Sequence, residues 1–392
     1  MSMNYTLCKA KDADHDAFLT LINDVFEFDN QPGGGFLRFL PKLYKKEYTP
    51  CANNFVVYEN GRMYAAVGLY YNTMHVCGKP LLTAGIGNVA VHKDRRGAGY
   101  MKEAMRAAIA DMKEKRADFS FLGGRRQRYM YFSYDHAVTR YQLDINQTSM
   151  AHALRGKEVK PLKAVAVTSE STRELDDMHR LQSTLPLHME RPREAFFDII
   201  RSWSTIPYAA YDGGRFAGYF LFNSARNHIL EFYPQTANDI LPLIACALGL
   251  AAEQGEERSI EVVVPEFDAN ILDRLLPLSE IHSIDHGEQI SILNYKTVIE
   301  AFLHAKATYT PLPDGEVTLL IHGEAGDEQL RLAVRGGKTF VETTSAAPNL
   351  ELTHLEAVRL VGSVYSEKRK YLPPACAAWF PLPITFSHVD SV

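Results

Sequence analysis

The sequence is short of paired cysteines, of long apolar runs and of any large excess of one charge. Its five cysteines, Cys8, Cys51, Cys77, Cys246 and Cys376, are scattered over 392 residues, and no two are spaced as Cys-x-x-Cys. That argues against a zinc ribbon, a dithiol redox motif and a disulfide scaffold, and free thiols in a reducing compartment are expected. The fourteen histidines are scattered too, and no metal site is expected. The longest apolar run, Leu241 to Ala252, is too short to span a bilayer and contains Pro242, so it reads as a buried helix. Met1-Ser2-Met3-Asn4-Tyr5 has no basic stretch leading into an apolar one. A cytoplasmic location with no membrane partner is the expectation. Lys and Arg number 42 against 47 Asp and Glu, a net charge of −5, which argues against a nucleic-acid partner. The Walker and Rossmann glycine patterns are missing, so nucleoside triphosphates and NAD are poor ligand candidates.

What is present is an ordinary globular composition, 46% hydrophobic and 23% charged, which a disordered chain lacks. Its length suggests two to four domains. The first 150 residues alternate strands and helices. Tyr5 to Ala10 reads as a strand. Asp14 to Phe26 reads as a helix with Phe18, Leu21, Ile22 and Val25 on one face, broken at Gln31-Pro32-Gly33-Gly34-Gly35. Asn54 to Glu59 and Met63 to Met74 flank Asn60-Gly61, a hairpin signal. A turn at Cys77-Gly78-Lys79-Pro80 leads to a strand from Leu81 to Val91. A long helix follows, with Met101, Ala104, Met105, Ala108, Ile109 and Met112 at helical spacing. Phe119 to Leu122 is the next strand.

Part of this order recurs. Val57-Tyr58-Glu59-Asn60-Gly61-Arg62-Met63 resembles Ala210-Tyr211-Asp212-Gly213-Gly214-Arg215-Phe216. The second copy is followed by a strand (Ile229 to Tyr233), an apolar helix (Asn238 to Glu253) and a strand (Ser259 to Val264), which predicts two related units. The last hundred residues differ. Val317 to His322, Gln329 to Val334 and Thr339 to Thr343 are short strands, and Thr353-x-x-Glu356 is a capping box opening a helix that closes near Gly362. The predicted organisation is three units, 1–155, 156–288 and 289–392, the first two α/β and the third α+β with a packed, Pro-rich tail.

The chemistry concentrates at residues 87–101, a strand, a loop and a helix. The loop reads Arg95-Arg96-Gly97-Ala98-Gly99-Tyr100-Met101. Its glycines leave backbone N–H groups open to an anion. The helix N-terminus adds free N–H groups and a positive dipole end. The two arginines add charged donors. A diphosphate suits such a loop.

In this context the first unit resembles the GCN5-related N-acetyltransferase (GNAT) superfamily, whose pyrophosphate loop reads Gln/Arg-x-x-Gly-x-Gly/Ala. Arg96 and Gly99 match it, and Met101 replaces the last small residue. The resemblance implies that Val89, Ala90 and Val91 pair with the pantetheine arm of acetyl-CoA, and that the N–H groups of Arg96, Gly97, Gly99, Tyr100 and Met101, around Ala98, cradle its pyrophosphate. The segment Tyr129-Met130-Tyr131-Phe132-Ser133-Tyr134 resembles the family's Tyr-x-x-Phe-Gly-Tyr, with Ser133 in place of Gly. A tyrosine there would protonate the leaving thiolate as general acid. Tyr129 is the expected one, with Tyr131 and Tyr134 as competitors.

The whole chain resembles the Eis (enhanced intracellular survival) acetyltransferases, which have two GNAT-like units and a last domain like sterol carrier protein 2. The second unit has Tyr233-Pro234-Gln235-Thr236-Ala237-Asn238 where the first has its glycine loop, so it should not bind CoA in the same way. The resemblance implies that the carboxylate of the last residue, Val392, serves as base, with Asp390 and His388 as rivals. It also implies a homo-oligomer, in the form of a hexamer. Glu27, Phe28, Asp29 and Phe36 flank the glycine break. They suit a cationic amine, or equally a solvated loop beside one core aromatic. The expected activity is N-acetylation of a primary amine, on a polyamine- or aminoglycoside-like small molecule or a lysine, by direct attack in a ternary complex. The alternatives are a non-catalytic carrier of an apolar ligand and an acyltransferase using a longer acyl-CoA.

Overall fold

The computed structural model describes residues 5–29, 31, 33–253 and 259–392. The segment 1–4 and Pro32 of the glycine break lie outside the described residues. Among the described residues the strands form three sheets, of eight, seven and four strands. Most pairings are antiparallel, and each sheet has one parallel pair.

Five strands of the first sheet come early in the chain: β1 (Tyr5–Lys9), β2 (Asn54–Glu59), β3 (Arg62–Val76), β4 (Lys79–Val91) and β5 (Phe119–Leu122). The β2–β3 turn forms because Asn60 and Gly61 both take positive φ, 51° and 77°, which matches the strand twist. Cys77 and Gly78 repeat this at the β3–β4 turn. Helix α1 (His15–Phe26) buries Phe18, Leu21 and Ile22. Helix α2 (Tyr100–Glu114) buries Ala104, Met105, Ala108 and Met112, while Met101 and Ile109 lie at the edge of the same core.

The parallel β4–β5 pairing runs from Thr83–Phe119 to Ile86–Leu122 and stops there. β4 continues to Val91 bonded only to β3, so the two strands open into a V whose free edge is the Gly87–Val91 backbone. Within that edge Asn88 takes a φ of 38° at a break in the β3–β4 register. A buried polar cluster fixes this bulge. Asn88 donates to Asn54 at 2.8 Å and accepts from the Tyr44 hydroxyl at 2.9 Å. Bulges of this kind bend a strand and re-aim its neighbours.

The second sheet holds the hairpin Ile206–Asp212/Arg215–Phe222, then His228–Pro234, the helix Ile240–Ala252 and the strand Ile260–Pro265. The last two strands are its parallel pair, so it repeats the element order of the first sheet. The third sheet, Gly315 to Thr353, packs under the helices Tyr295–Tyr309 and His354–Gly362. The capping box is formed, with Glu356 accepting from the Thr353 N–H at 2.9 Å.

The sheets do not follow the expected unit limits. Arg140–Ile145 precedes residue 155 yet pairs in the second sheet with Ile260–Pro265. Gln289–Ile292 opens the expected third unit yet pairs antiparallel with β5. The physical reason is edge protection, because β5 would otherwise present unpaired backbone groups on that side. One apolar core runs from Phe119 and Phe121 through Ile290 and Phe302 to Val317 and Trp379, joining the first and third sheets.

Candidate active site

The glycine loop leaves several backbone N–H groups open, the geometry an anion would need. Gly97 and Gly99 take φ of 85° and 88°, which side chains disfavour. Gly99 is the N-cap of the fifteen-residue helix α2 and supplies no side-chain cap. Among the described residues no acceptor takes the N–H of Gly97, Gly99, Tyr100 or Met101. The Arg96 N–H is different from the expectation, since it closes the preceding turn on the Lys93 carbonyl at 3.3 Å.

The two arginines part company. Arg95 forms a bidentate pair with Glu59 and lies 4.7 Å from the Tyr64 ring, so it ties the loop to the β2–β3 hairpin. Glu59 also accepts from the Tyr100 hydroxyl at 2.9 Å. Arg96 is exposed and has no ion-pair partner among the described residues. It is the arginine free to meet an anion. Val89, Ala90 and Val91 lie on the open edge of β4.

The three tyrosines are sorted by their surroundings. Tyr131 is 58% exposed, with Lys102 4.7 Å from its ring. Tyr134 is fully buried, and its hydroxyl bonds Ser120 at 2.7 Å, which in turn donates to the Ala84 carbonyl. Tyr129 packs in the same core as Ile86 and Leu122, the last paired residues of the V. A Cβ on Gly124 would stand 2.7 Å from its ring, and Gly124 takes a φ of 133°. Burial raises the Tyr129 hydroxyl above its usual range, and Arg128 opposes that. A neutral phenol suits proton donation.

The tail crosses the molecule to reach β4. Phe386 packs on Phe121 at 4.6 Å between ring centres. A Cβ on Gly85 would stand 2.5 Å from a Val392 methyl, and one on Gly87 would stand 3.0 Å from the Val392 carboxyl carbon. These glycines are bare because the end of the tail lies on them.

Buried polar groups hold the tail in place. Arg191 bonds Asp390 at 2.8 Å through two donors and Glu231 at 2.5 Å, all three side chains buried. Breaking such a buried set by removing one partner costs about 3–5 kcal/mol. Ser391 donates to Glu288 at 2.8 Å, and His388 lies 3.3 Å from the same carboxylate. Burial pushes Glu288 up, but His388, Arg140 and Ser391 bring it down to about 2. Lys42 donates to the Ser391 carbonyl at 2.6 Å and to that of Val389. Burial lowers its ammonium to about 7 against the pull of Asp390. The Val392 carboxylate forms no ion pair among the described residues. Of its rivals, Asp390 is engaged by Arg191 and His388 by Glu288.

The expected acceptor residues divide. Phe36 is buried, and the Phe28 ring meets it edge-on at 4.9 Å, in the cluster that also receives Val392. Asp29 is turned into its own loop, accepting from the Gln31 N–H at 3.2 Å. Glu27 is the exposed left-handed cap of α1. The aromatic wall continues through residues the sequence did not single out. Phe39 meets Phe28 at 5.5 Å and Trp203 at 5.0 Å, and Trp203 meets His388 at 4.7 Å. Phe39, Trp203 and His388 border a recess of about 310 Å³ together with Arg140, Gln142 and His228. Trp203 also donates to the Ser391 carbonyl at 3.3 Å.

At the corresponding helix of the second sheet an anion has no place. Asp239 stands at its N-terminus and is bonded by Arg215 at 2.6 Å and Thr236 at 2.6 Å. Among the described residues no group of three or more His, Cys, Asp or Glu side chains is arranged to hold a metal ion. His282 and His286 are four apart, but the first is on a strand and the second lies just beyond its end, not on one helix face. No helix among them is long and apolar enough to cross a membrane.

Residues 6–138 match the acetyltransferase (GNAT) domain family. The fold and this match define the class as far as the first unit: residues 6–138 form an acetyltransferase (GNAT) domain. No curated relative matches it in sequence. Three solved structures share its fold over nearly the full length. A GCN5-related N-acetyltransferase from Kribbella flavida is 15% identical, with a TM-score of 0.69 over 99% of this chain and 98% of its own. One from Anabaena variabilis is 15% identical, with a TM-score of 0.69 over 98% of each chain. Eis1 from Mycobacterium abscessus is 14% identical, with a TM-score of 0.64 over 98% of each chain. At these identities the likeness is one of fold.

Proposed function

We propose that this chain transfers an acetyl group from acetyl-CoA to a primary amine, by direct attack in a ternary complex. It would be an Eis-like enzyme of two GNAT units, the second lacking a CoA loop, and a last unit like sterol carrier protein 2. The acetyl-CoA pyrophosphate would sit on the N–H groups of Gly97, Gly99, Tyr100 and Met101 beside Arg96. Its pantetheine arm would bond the free edge of β4, directing the thioester into the V. The acceptor amine would approach along the wall of Phe28, Phe39 and Trp203.

An ammonium must lose a proton before it attacks. The Val392 carboxylate would take it, the amine nitrogen would add to the thioester carbon, and the C–S bond would break. Tyr129 would protonate the departing thiolate. The observation that carries this reading is the placement of the Val392 carboxyl on Gly87, at the mouth of the V and without a cation of its own.

The test is free-thiol release from acetyl-CoA by purified protein with polyamines, aminoglycosides and lysine peptides. Amine-dependent release that falls at least about a hundredfold in Tyr129→Phe supports the reading. No acetyl-CoA binding by calorimetry refutes it.

A further inference from the structure

A narrow crevice of about 50 Å³ lies between the second sheet and the tail, and it contains two acceptors that the reaction above leaves unused. One is Asp268. It stands just before the helix Ala269–Leu275, where a capping residue belongs, yet its side chain makes no capping bond. Only its backbone carbonyl receives the helix N–H groups of Ile271 and Leu272. Among the described residues no cation or donor reaches its carboxyl group, and burial alone pushes it up to about 6. The other is Gln182, which is 2% exposed. Its amide nitrogen donates to the Met189 carbonyl at 2.8 Å, and its Oε1 has no partner.

The orphaned Oε1 of Gln182 is buried, which costs free energy and calls for an explanation, while Asp268 is half-buried and also borders a wider, open recess with Pro234 and Tyr309. The arginines of the crevice do not supply one. Arg191 is held by Glu231 and Asp390, and Arg140 bonds Asp285 at 3.0 Å. What the crevice lacks is a positively charged donor.

The crevice shares Arg140, Leu230, Val263 and His388 with the recess beside Trp203. Its remaining wall is largely apolar, with Leu185, Leu187, Phe232 and Phe267. It is a small, largely apolar space beside the larger recess of about 310 Å³, which suits a methylene chain.

We propose that Asp268 and Gln182 form a distal ammonium site, and that the acceptor is an aliphatic α,ω-diamine whose far end is held there. This rests on the acetyltransferase reading above. The near amine forms the N–C bond as the thioester C–S bond breaks. Its proton passes to the base, and the thiolate takes one from Tyr129. The far ammonium keeps its charge throughout.

The experiment compares wild type with Asp268→Asn on α,ω-diamines and monoamines of equal chain length. kcat/KM is read by thiol release, and diamine binding by calorimetry on full-length protein without acetyl-CoA. Wild type should prefer the diamine by about tenfold or more, as expected for one charge-assisted bond. In Asp268→Asn that ratio should fall toward one through KM, with a matching loss of diamine affinity. An unchanged ratio, or a wild type without preference, overturns the site. If wild type acetylates no amine but binds diamines in an Asp268-dependent way, the reaction fails and the site stands. If wild type acetylates nothing and its diamine binding is absent or unaffected by Asp268→Asn, both fail.

Discussion

Val392 rests on Gly87, its carboxyl carbon 3.0 Å from where a Cβ on that glycine would stand. This contact brings the last residue of the chain to the strand edge where the acyl group is expected to lie.

Gly87→Ala tests that contact. A methyl at this position forces the Val392 carboxyl to give by a few tenths of an ångström, and the neighbouring atom is a backbone carbon rather than the end of a flexible side chain. Turnover should fall by about tenfold or more, as expected when a general base is displaced. Acetyl-CoA affinity, measured by calorimetry, should change much less than turnover. Unchanged turnover would mean that the tail does not need this seat.

The arginines of the loop should separate by readout. Arg96 is exposed and has no ion-pair partner among the described residues, so Arg96→Ala should weaken acetyl-CoA binding roughly tenfold or more. Arg95 is engaged by Glu59 and Tyr64, so Arg95→Ala should act chiefly on the melting temperature. Calorimetry and thermal melting on the same two variants check the division. Equal losses of affinity would contradict it.

Stability should fall in mild acid through His354. Its neutral ring is satisfied on both sides, accepting from the Glu324 N–H at 3.0 Å and lying 3.1 Å from the Ser291 hydroxyl. Burial lowers its pKa to about 4, against Glu324. The unfolded chain takes up this proton near pH 6.5, whereas the folded chain resists it until about 4. The contribution is therefore full above pH 6.5 and is lost as pH falls toward 4, up to about 3 kcal/mol. Melting curves across that window should show the loss, and His354→Gln should flatten it.

Much of the fold is legible in the residues. Asn60-Gly61 announces a hairpin, the Ala104–Met112 stripe a helix face, and Thr353 with Glu356 a cap, because each is a local rule obeyed locally. The anion loop is legible for the same reason. The sheet membership of Arg140–Ile145 and Gln289–Ile292 is not, since pairing across 115 to 173 residues leaves no local mark. Phe39, Lys42 and Trp203 were invisible as site residues because only the path of the tail brings them together. Gly85-x-Gly87 within a strand was a usable signal, as such glycines mark a close approach of another chain segment. Arg95 and Arg96 look equivalent in sequence, and only Glu59, across the hairpin, tells them apart.

The most direct test of the central claim is to add two residues after Val392 and follow thiol release with a diamine acceptor. The extension leaves the side chains of the tail in place and moves the carboxylate away from Gly87. Turnover should fall by about a hundredfold or more, with acetyl-CoA affinity retained by calorimetry. Full turnover in the extended protein would contradict the role of the Val392 carboxylate.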